Sequence, residues 1–303
     1  MPISWGKTKS FRGPLEKLVG RSLLELAEKE PSMLTEGARR RPVSLGLFDI
    51  EGFIELTNYA SPEAIVELLN AYFGGITRCV TEHQGLVDAF FNEAVFTIFG
   101  APQEDREHPL HACQAALAGM REIVRLAAQW QIKGFARIKA SIALCTGPCI
   151  VGNFGSEQRL IYTAIGDLVN WCEQLRACTR LYGVPILISR ETAAAVRGQM
   201  VTRELDTLRV PGGRTTTVHE LVGMPDSVSA PVREAMGLFE RGLELYRRRE
   251  WEQAESYFAD VNRLVGDDGP SRLFTRRCQH YMLYAPPPEW DYVHAPSQRL
   301  DTQ

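Results

Sequence analysis

Apolar positions recur along the chain at two spacings, close to four residues and close to two, and these mark out its elements. Residues 14–30, PLEKLVGRSLLELAEKE, carry apolar side chains at helical spacing against a charged opposite face, which predicts an entry helix. The basic stretch GARRRP that follows reads as a solvated linker, with Arg39–Arg41 too short a cluster for a phosphate site. VSLGLFDI is a buried-type strand ending at Asp49, and EGF leads into a helix over about 61–83. DAFFNEAVFTIFG, residues 88–100, predicts a strand, a tight turn at Asn92 and Glu93, and a second strand. A polar loop and a long helix come next, within APQEDREHPLHACQAALAGMREIVRLAAQW. ARIKASIALCTG predicts a strand, PCIVGNFG a strand and turn, and RLIYTAIGD a turn into the helix VNWCEQLRACTRLYG. PILIS is a strand, ETAAAVR a short helix, and strands near 201–210 and 214–222 close this part of the chain. Strands interleaved with helices, including a hairpin, imply a mixed-sheet α/β or α+β domain.

After about Asp226 the rhythm becomes helical throughout. APVREAMGLFERGLELYRRREWEQAESYFADVNRLVG predicts two helices joined by a short charged turn, and a third follows at about 270–283. Trp251, Ala254 and Phe258 have a W-x2-A-x3-F spacing that resembles one tetratricopeptide unit. A single unit cannot bury its own apolar face, so it is expected to pack on the main domain or on a protein partner. The expected organisation is an N-terminal helix and basic linker (1–42), a main domain (43–223), a helical extension (230–285) and a proline-rich tail (286–303).

Composition narrows the function classes. A formal net charge of −3 gives no basis for general nucleic-acid binding. No apolar run approaches the ~20 residues that span a bilayer, and MPISWGKTKSFRGPLEK lacks the apolar core of a secretory signal, so the expected location is cytoplasmic. The seven cysteines, 79, 113, 145, 149, 172, 178 and 278, are scattered through apolar runs with no paired C-x-x-C motif. They read as buried free thiols rather than a zinc site.

Four stretches then carry candidate chemistry, in order: FDIEGF (48–53), VDAFFNEAVFTIFGAP (87–102), TGPCIVGNFGSEQRLIYTAIGD (146–167) and VNWCEQL (169–175). Together they resemble the catalytic domain of class III nucleotidyl cyclases, the adenylate and guanylate cyclase family, over about residues 43–222. The resemblance implies an α+β, ferredoxin-like fold with a mixed, mainly antiparallel sheet, here followed by a small all-α extension. It implies attack of a ribose 3′-oxygen on the α-phosphate of a nucleoside triphosphate, with release of pyrophosphate, assisted by two Mg²⁺ or Mn²⁺ ions. It also implies a site at the seam of a head-to-tail dimer, where one chain gives metal ligands and the other reads the base and meets the transition state.

Matched to that family, Asp49 and Glu93 stand at the two metal-carboxylate positions, and the Ile50 carbonyl at the adjoining backbone ligand. Glutamate at 93 keeps a hard oxygen ligand but moves it by ~1.5 Å. Asn92 replaces a turn glycine and is one of the residues that tolerate a left-handed backbone. Gly52 and Phe53 form the turn whose amides would face phosphate, and Arg159 is a candidate triphosphate contact. Ala89 replaces the base-reading lysine, while Thr163 fills the partner position and is able to donate a hydrogen bond. Asn170 matches the transition-state asparagine, and the arginine four residues on is replaced by Gln174. Loss of such a charge commonly costs ~10³-fold or more in rate. Arg209 or Arg214 could stand in for a lysine expected near the last hairpin.

Plainer roles compete with these. Asp49 could cap its turn, Glu93 could be a solvated turn residue, and Gln174 a surface amide. Asp167 reads as a helix cap, and His108 and His111 as capping or surface residues rather than a zinc pair. Two functions therefore follow from the sequence. The first is a divergent cyclase, weak alone or dependent on a partner chain, working as a homodimer or as a heterodimer with a complete cyclase. The alternative is an inactive pseudo-cyclase acting as a regulatory or dimerisation module.

Overall fold

The computed structural model describes residues 12–13, 20–29, 31, 37–132, 134–135, 138–156, 158–210 and 213–294. A helix, α1 (Arg21–Lys29), precedes strand β1 (Arg39–Glu51). After a short helix α2 (Phe53–Thr57) come α3 (Pro62–Glu82), the hairpin β2 (Leu86–Phe91) and β3 (Ala94–Phe99), and the long α4 (His108–Ile132). Strands β4 (Lys139–Ser156) and β5 (Arg159–Ile165) lead into α5 (Asp167–Tyr182). Then follow β6 (Ile186–Ser189), α6 (Arg190–Ala195), β7 (Val201–Arg209) and β8 (Thr215–Gly223), and last α7 (Ala230–Arg247), α8 (Trp251–Val265) and α9 (Gly269–Leu283). The first residues assigned to the entry helix lie outside the described residues.

Among the described residues eight strands form one mixed sheet in the order β2-β3-β1-β4-β6-β8-β7, with β5 paired to β4. Among the described strands only β4 and β6 pair in parallel. β1 is paired on both edges, to β3 from Ser44↔Phe99 to Phe48↔Val95 and to β4 along its whole length. Its side chains alternate between two cores, as a pleated strand requires. Val43, Leu45 and Leu47 face the core that holds α5 and the C-terminal helices, and Phe48 and Ile50 face the core under α3 and α4.

Local chemistry sets the element ends. The Ser61 hydroxyl accepts from Ala64 N–H ahead of Pro62, and Ser189 and Asp268 cap α6 and α9 in the same way. Asn92 takes φ 52°, so the hairpin turn forms with asparagine in the left-handed region. Three local expectations differ. Arg39–Arg41 are the opening residues of β1, paired with Val151, Ile150 and Cys149, because β4 runs unbroken from 139 to 156 and supplies a partner for them. Asp167 is the first helical residue of α5, where Gly166 holds the cap position without a side-chain bond. His108 is buried and shares a hydrogen bond with Ser44 at 2.9 Å, and His111 bonds Asp105 at 2.7 Å, so both serve packing around the start of α4.

The three C-terminal helices pack on the main domain. Phe239, Phe258 and Phe274 join Leu205, Leu208 and Val218 in one continuous core. Ala254 and Phe258 are fully buried there, in keeping with a packing role for the tetratricopeptide-like spacing, and Trp251 packs against the core edge. At the seam the Arg277 guanidinium donates to Asp206 at 2.6 Å, and the Tyr182 hydroxyl donates to the same carboxylate at 2.9 Å. Arg277 is 1% exposed and Asp206 2%. Arg203 adds a second pairing, to Glu220 at 2.6 Å and Asp268 at 2.8 Å. Removing one member of a buried pair strands the other, so Arg277→Met should lower unfolding free energy by ~3–5 kcal/mol in urea denaturation. Arg277→Met combined with Asp206→Leu should recover much of that loss. Equal stability of Arg277→Met and the parent would show the pair to be dispensable.

Candidate active site

Asp49 ends the buried run of β1, and Glu93 sits in the turn that precedes β3, the strand hydrogen-bonded beside it. Asp49 is 7% exposed and Glu93 half-buried. Burial raises the Asp49 pKa from its ordinary value; Arg176 and the Ile50 N–H pull it down, and the nearby charges of Glu93 and Glu51 push it up again. The two carboxylates therefore converge closely enough to feel one another.

Three side chains around them were not legible in the motifs. Arg176 of α5 donates from Nη1 to Asp49 Oδ2 at 2.5 Å, while Ile50 N–H donates to Oδ1 at 2.8 Å. One helical turn on, Arg180 lies 3.9 Å from Glu51. Beneath the carboxylates the Tyr72 hydroxyl of α3 is fully buried and has no hydrogen-bond partner. Its pKa is raised well above that of an ordinary phenol, first by burial and then by the charges of Asp49 and Glu93.

Among the described residues no three His, Cys, Asp or Glu side chains gather into a metal site. Magnesium needs no such cage, because one or two carboxylates plus substrate phosphates commonly hold it. Asp49, the Ile50 carbonyl and Glu93 are hard oxygens of that kind, and the orphan Tyr72 hydroxyl is a buried polar atom that a coordinated water would satisfy. The donor set fits a divalent ion, on the condition that Arg176 leaves Asp49.

Gly52, at φ 91°, starts α2, a backbone that Gly adopts without strain, and Phe53 packs inward behind it. Arg159 opens β5 on the exposed side of the hairpin, distant in sequence and register from β1. Arg209 is committed to Asp291 at 2.8 Å, and Arg214 is exposed.

The base-side residues lie elsewhere on the same chain. Ala89 is exposed on β2, and Thr163 is half-buried on β5. Between Val87 and Ala89 the register with β3 slips, which makes Asp88 an extra, bulged residue. The Thr163 hydroxyl donates to Asp88 Oδ2 at 2.5 Å, so the donor expected of Thr163 is already spent. Burial pushes the Asp88 carboxyl up to about 6, against the lowering effect of the Thr163 hydroxyl and the Ala164 N–H. Asn170 is exposed near the start of α5 and Gln174 half-buried one turn on, the face that would carry a transition-state pair.

Two measurable consequences follow. Arg176→Gln removes the competing cation and should tighten Mn²⁺ uptake by ~10-fold or more, read by electron paramagnetic resonance titration at pH 8. Unchanged uptake would mean that Arg176 does not compete. For Asp88 the folded pKa of about 6 exceeds the ordinary 3.8, so its contribution is intact below pH ~4 and is lost as pH rises through 6. Asp88→Asn, which cannot ionise, should therefore gain ~2 kcal/mol over the parent between pH 4 and 7 in denaturant melts. A pH-independent difference would contradict the buried carboxylate.

Known proteins resemble this chain in sequence and fold. Residues 36–223 match the family model of the adenylate and guanylate cyclase catalytic domain. Adenylate cyclase 1 of Rhizobium meliloti is 31% identical over 193 residues, 63% of this chain and 29% of that protein. The terminal-differentiation-specific adenylate cyclase of Dictyostelium discoideum is 26% identical over 246 residues, 78% of this chain and 11% of that protein. The chain spans less than a third of the length of these curated relatives. Among solved structures, the adenylyl cyclase CyaB of P. aeruginosa superposes with a TM-score of 0.58 at 27% identity, covering 64% of this chain and 100% of that one. The guanylyl cyclase Cya2 superposes at 0.57 and 27% identity, covering 64% and 99%. With the family model spanning most of the chain and the sheet, hairpin and Asp49 turn in place, this chain belongs to the class III adenylate and guanylate cyclase family.

Proposed function

We propose that this chain is the metal-giving half of a nucleotidyl cyclase site completed by a second chain, converting a nucleoside triphosphate to a 3′,5′-cyclic nucleotide and pyrophosphate. Cyclase domains of this family act as dimers, bind nucleoside triphosphates and use divalent ions. The observation that carries the reading is the convergence of Asp49 and Glu93 at neighbouring strand ends beside an orphan Tyr72 hydroxyl. The bound ions would neutralise the triphosphate and make the 3′-oxygen a better nucleophile. Asp49, the Ile50 carbonyl and Glu93 would hold them, and the Gly52–Phe53 turn would lie against the phosphates. The ribose 3′-oxygen bonds to the α-phosphorus, the bond to the β-phosphate oxygen breaks, pyrophosphate leaves, and the 3′ proton passes to water.

The base and transition-state half supports only weak turnover between identical chains. Ala89 offers no donor, and Gln174 offers an amide where a guanidinium belongs. Arg159 would meet the triphosphate only if β5 of a neighbouring chain brought it across the seam. A partner that keeps the lysine and arginine would supply what is missing, and the C-terminal helices would travel with the domain as part of its core.

One observation favours a second reading, an inactive regulatory module. Arg176 already neutralises Asp49 in the chain as it stands. An internal guanidinium on a metal carboxylate is what a domain retaining the fold without the ion would carry.

The purified chain should be assayed with Mn²⁺ and each of ATP, GTP, CTP and UTP, alone and mixed with a complete cyclase whose own metal aspartates are replaced. The expected result is cyclic product in the mixture at least ~10-fold above either chain alone, abolished by Asp49→Asn. No Asp49-dependent product in any mixture would overturn the enzymatic reading in favour of the regulatory one.

A further inference from the structure

Beyond α9 the chain is held as a bound peptide would be. Ala285–His294 passes the turn between α7 and α8 and reaches the outer edge of the sheet, where β7 is the last strand. The Trp290 ring lies against Tyr246, Trp251 and Tyr281, with centroids 5.4, 6.1 and 5.2 Å away. Arg249, in the turn between the two helices, donates from Nη2 to the carbonyl oxygens of Pro287 and Pro288 at 2.8 and 2.7 Å. Its guanidinium also stands 5.5 Å from the centre of the Trp290 ring. At the sheet edge the His294 N–H donates to the Thr207 carbonyl at 3.0 Å, and the His294 carbonyl accepts from the Arg209 N–H at 2.8 Å. This forms a parallel bridge to β7. Asp291 meets the Arg209 side chain at 2.8 Å.

Each contact recognises something an extended peptide carries. Prolines have no N–H, so a proline run offers a partner only carbonyls, and Arg249 brings only donors. An aromatic anchor in a ring-lined socket and main-chain bonds to an open sheet edge are both recurring means of holding a peptide. Arg249 takes φ 65°, a left-handed backbone that is costly for a long side chain and that gathers at ligand clamps. Yet the tail does not satisfy the socket. The Trp251 indole N–H is buried without an acceptor, even with Trp290 packed beside it. A donor left in that state has lost a hydrogen bond that water would supply. We propose that this surface is a peptide-binding site for a second protein, and that the tail is its placeholder in cis. The partner is an extended segment with prolines ahead of an aromatic residue and an acidic residue directly after it. It also brings the acceptor for Trp251 that the tail lacks. This site is independent of the nucleotide chemistry.

Exchange of one peptide for another leaves the fold in place. Pro287, Pro288, Glu289, Asp291 and Tyr292 are exposed, and Trp290 is half-buried at the margin of the core. Phe239, Phe258 and Phe274 keep the three helices on the sheet without it. The charges match an acidic segment, since Glu289 and Asp291 flank the anchor and Arg209 and Arg249 face it. A tether as short as the one from Leu283 to Trp290 sets an effective concentration of order millimolar, so the tail excludes weak free peptides. A segment that pairs with Trp251 has the additional bond needed to displace it.

The test is fluorescence anisotropy of a labelled APPPEWDYVH peptide added to the full chain. Trp290→Ala frees the tail and should tighten peptide binding by at least ~10-fold over the parent, in which the tail competes. Arg249→Ala in that background should weaken it by at least ~10-fold, as should alanine at the tryptophan of the peptide. Circular dichroism melts establish that each variant is folded, and Asp291→Lys, which alters an exposed residue, gives the same comparison if Trp290→Ala is not. Glutamine placed in turn at positions 286–289, 292 and 293 of the peptide then scans for the missing acceptor. At least one such peptide should bind ~5-fold or more tighter than the native sequence, with the gain lost in Trp251→Phe. A folded, tail-freed chain that takes up no peptide, or a parent that binds it equally well, would overturn the peptide site. A scan without any tighter peptide, or a gain that survives Trp251→Phe, would overturn the partner and leave the surface to the tail alone.

Discussion

A carboxylate that is 7% exposed at the end of a strand is costly unless cations or donors meet both its oxygens, and Asp49 is met on both. The Ile50 N–H holds one oxygen and Arg176 the other. β1 cannot shift to relieve the cost, because it is paired with β3 on one edge and with β4 along its full length on the other. The position of Asp49 is thus fixed by the sheet, and the only freedom left concerns which positive charge sits upon it. Arg176 reaches it from α5, the helix that also carries Asn170 and Gln174. In the proposed cyclase reading, metal affinity and the placement of the transition-state face are therefore tied to one helix.

That helix is itself fastened at its far end. Tyr182 closes α5 and donates to Asp206, which in turn receives Arg277 from the third C-terminal helix. Gly269 packs so closely that a Cβ there would come 2.2 Å from the Tyr182 carbonyl oxygen, so no larger residue fits between α9 and the end of α5. The helical extension shares its core with the sheet, and its anchoring contacts fall on the same element that supplies Arg176. The orientation of α5 is accordingly set by packing from two sides, the sheet beneath and the extension behind.

The sequence made the alternating hydrophobic strands, the Asn92 turn and the long helices legible, because each is a local pattern of period or turn chemistry. It also placed Asp49 and Glu93 on neighbouring strand ends through their motifs. The start of β1 at Arg39 was hidden, since three arginines look like a linker until β4 is known to run far enough to pair with them. Arg176 left a fainter signal. Asp49 and Glu51, two apart on a strand, and Arg176 and Arg180, four apart on a helix, are matching charges at matching periods. Asp88 was illegible for a different reason: a bulge decides where its side chain points, and nothing in DAFF announces one. Thr163 was read as a donor, correctly for a free hydroxyl, but its proton is committed to a neighbour that only the fold brings near.

The central claim is that Asp49 and Glu93 share a divalent ion once Arg176 gives way. A crystal structure with Mn²⁺ and a non-hydrolysable triphosphate, with the ion located by anomalous scattering, tests it most directly. The account predicts manganese bonded to both carboxylates, the Arg176 guanidinium displaced from Asp49, and the Tyr72 hydroxyl within hydrogen-bond reach of a coordinated water. Manganese bound elsewhere, or a triphosphate complex in which Arg176 still occupies Asp49, would contradict it.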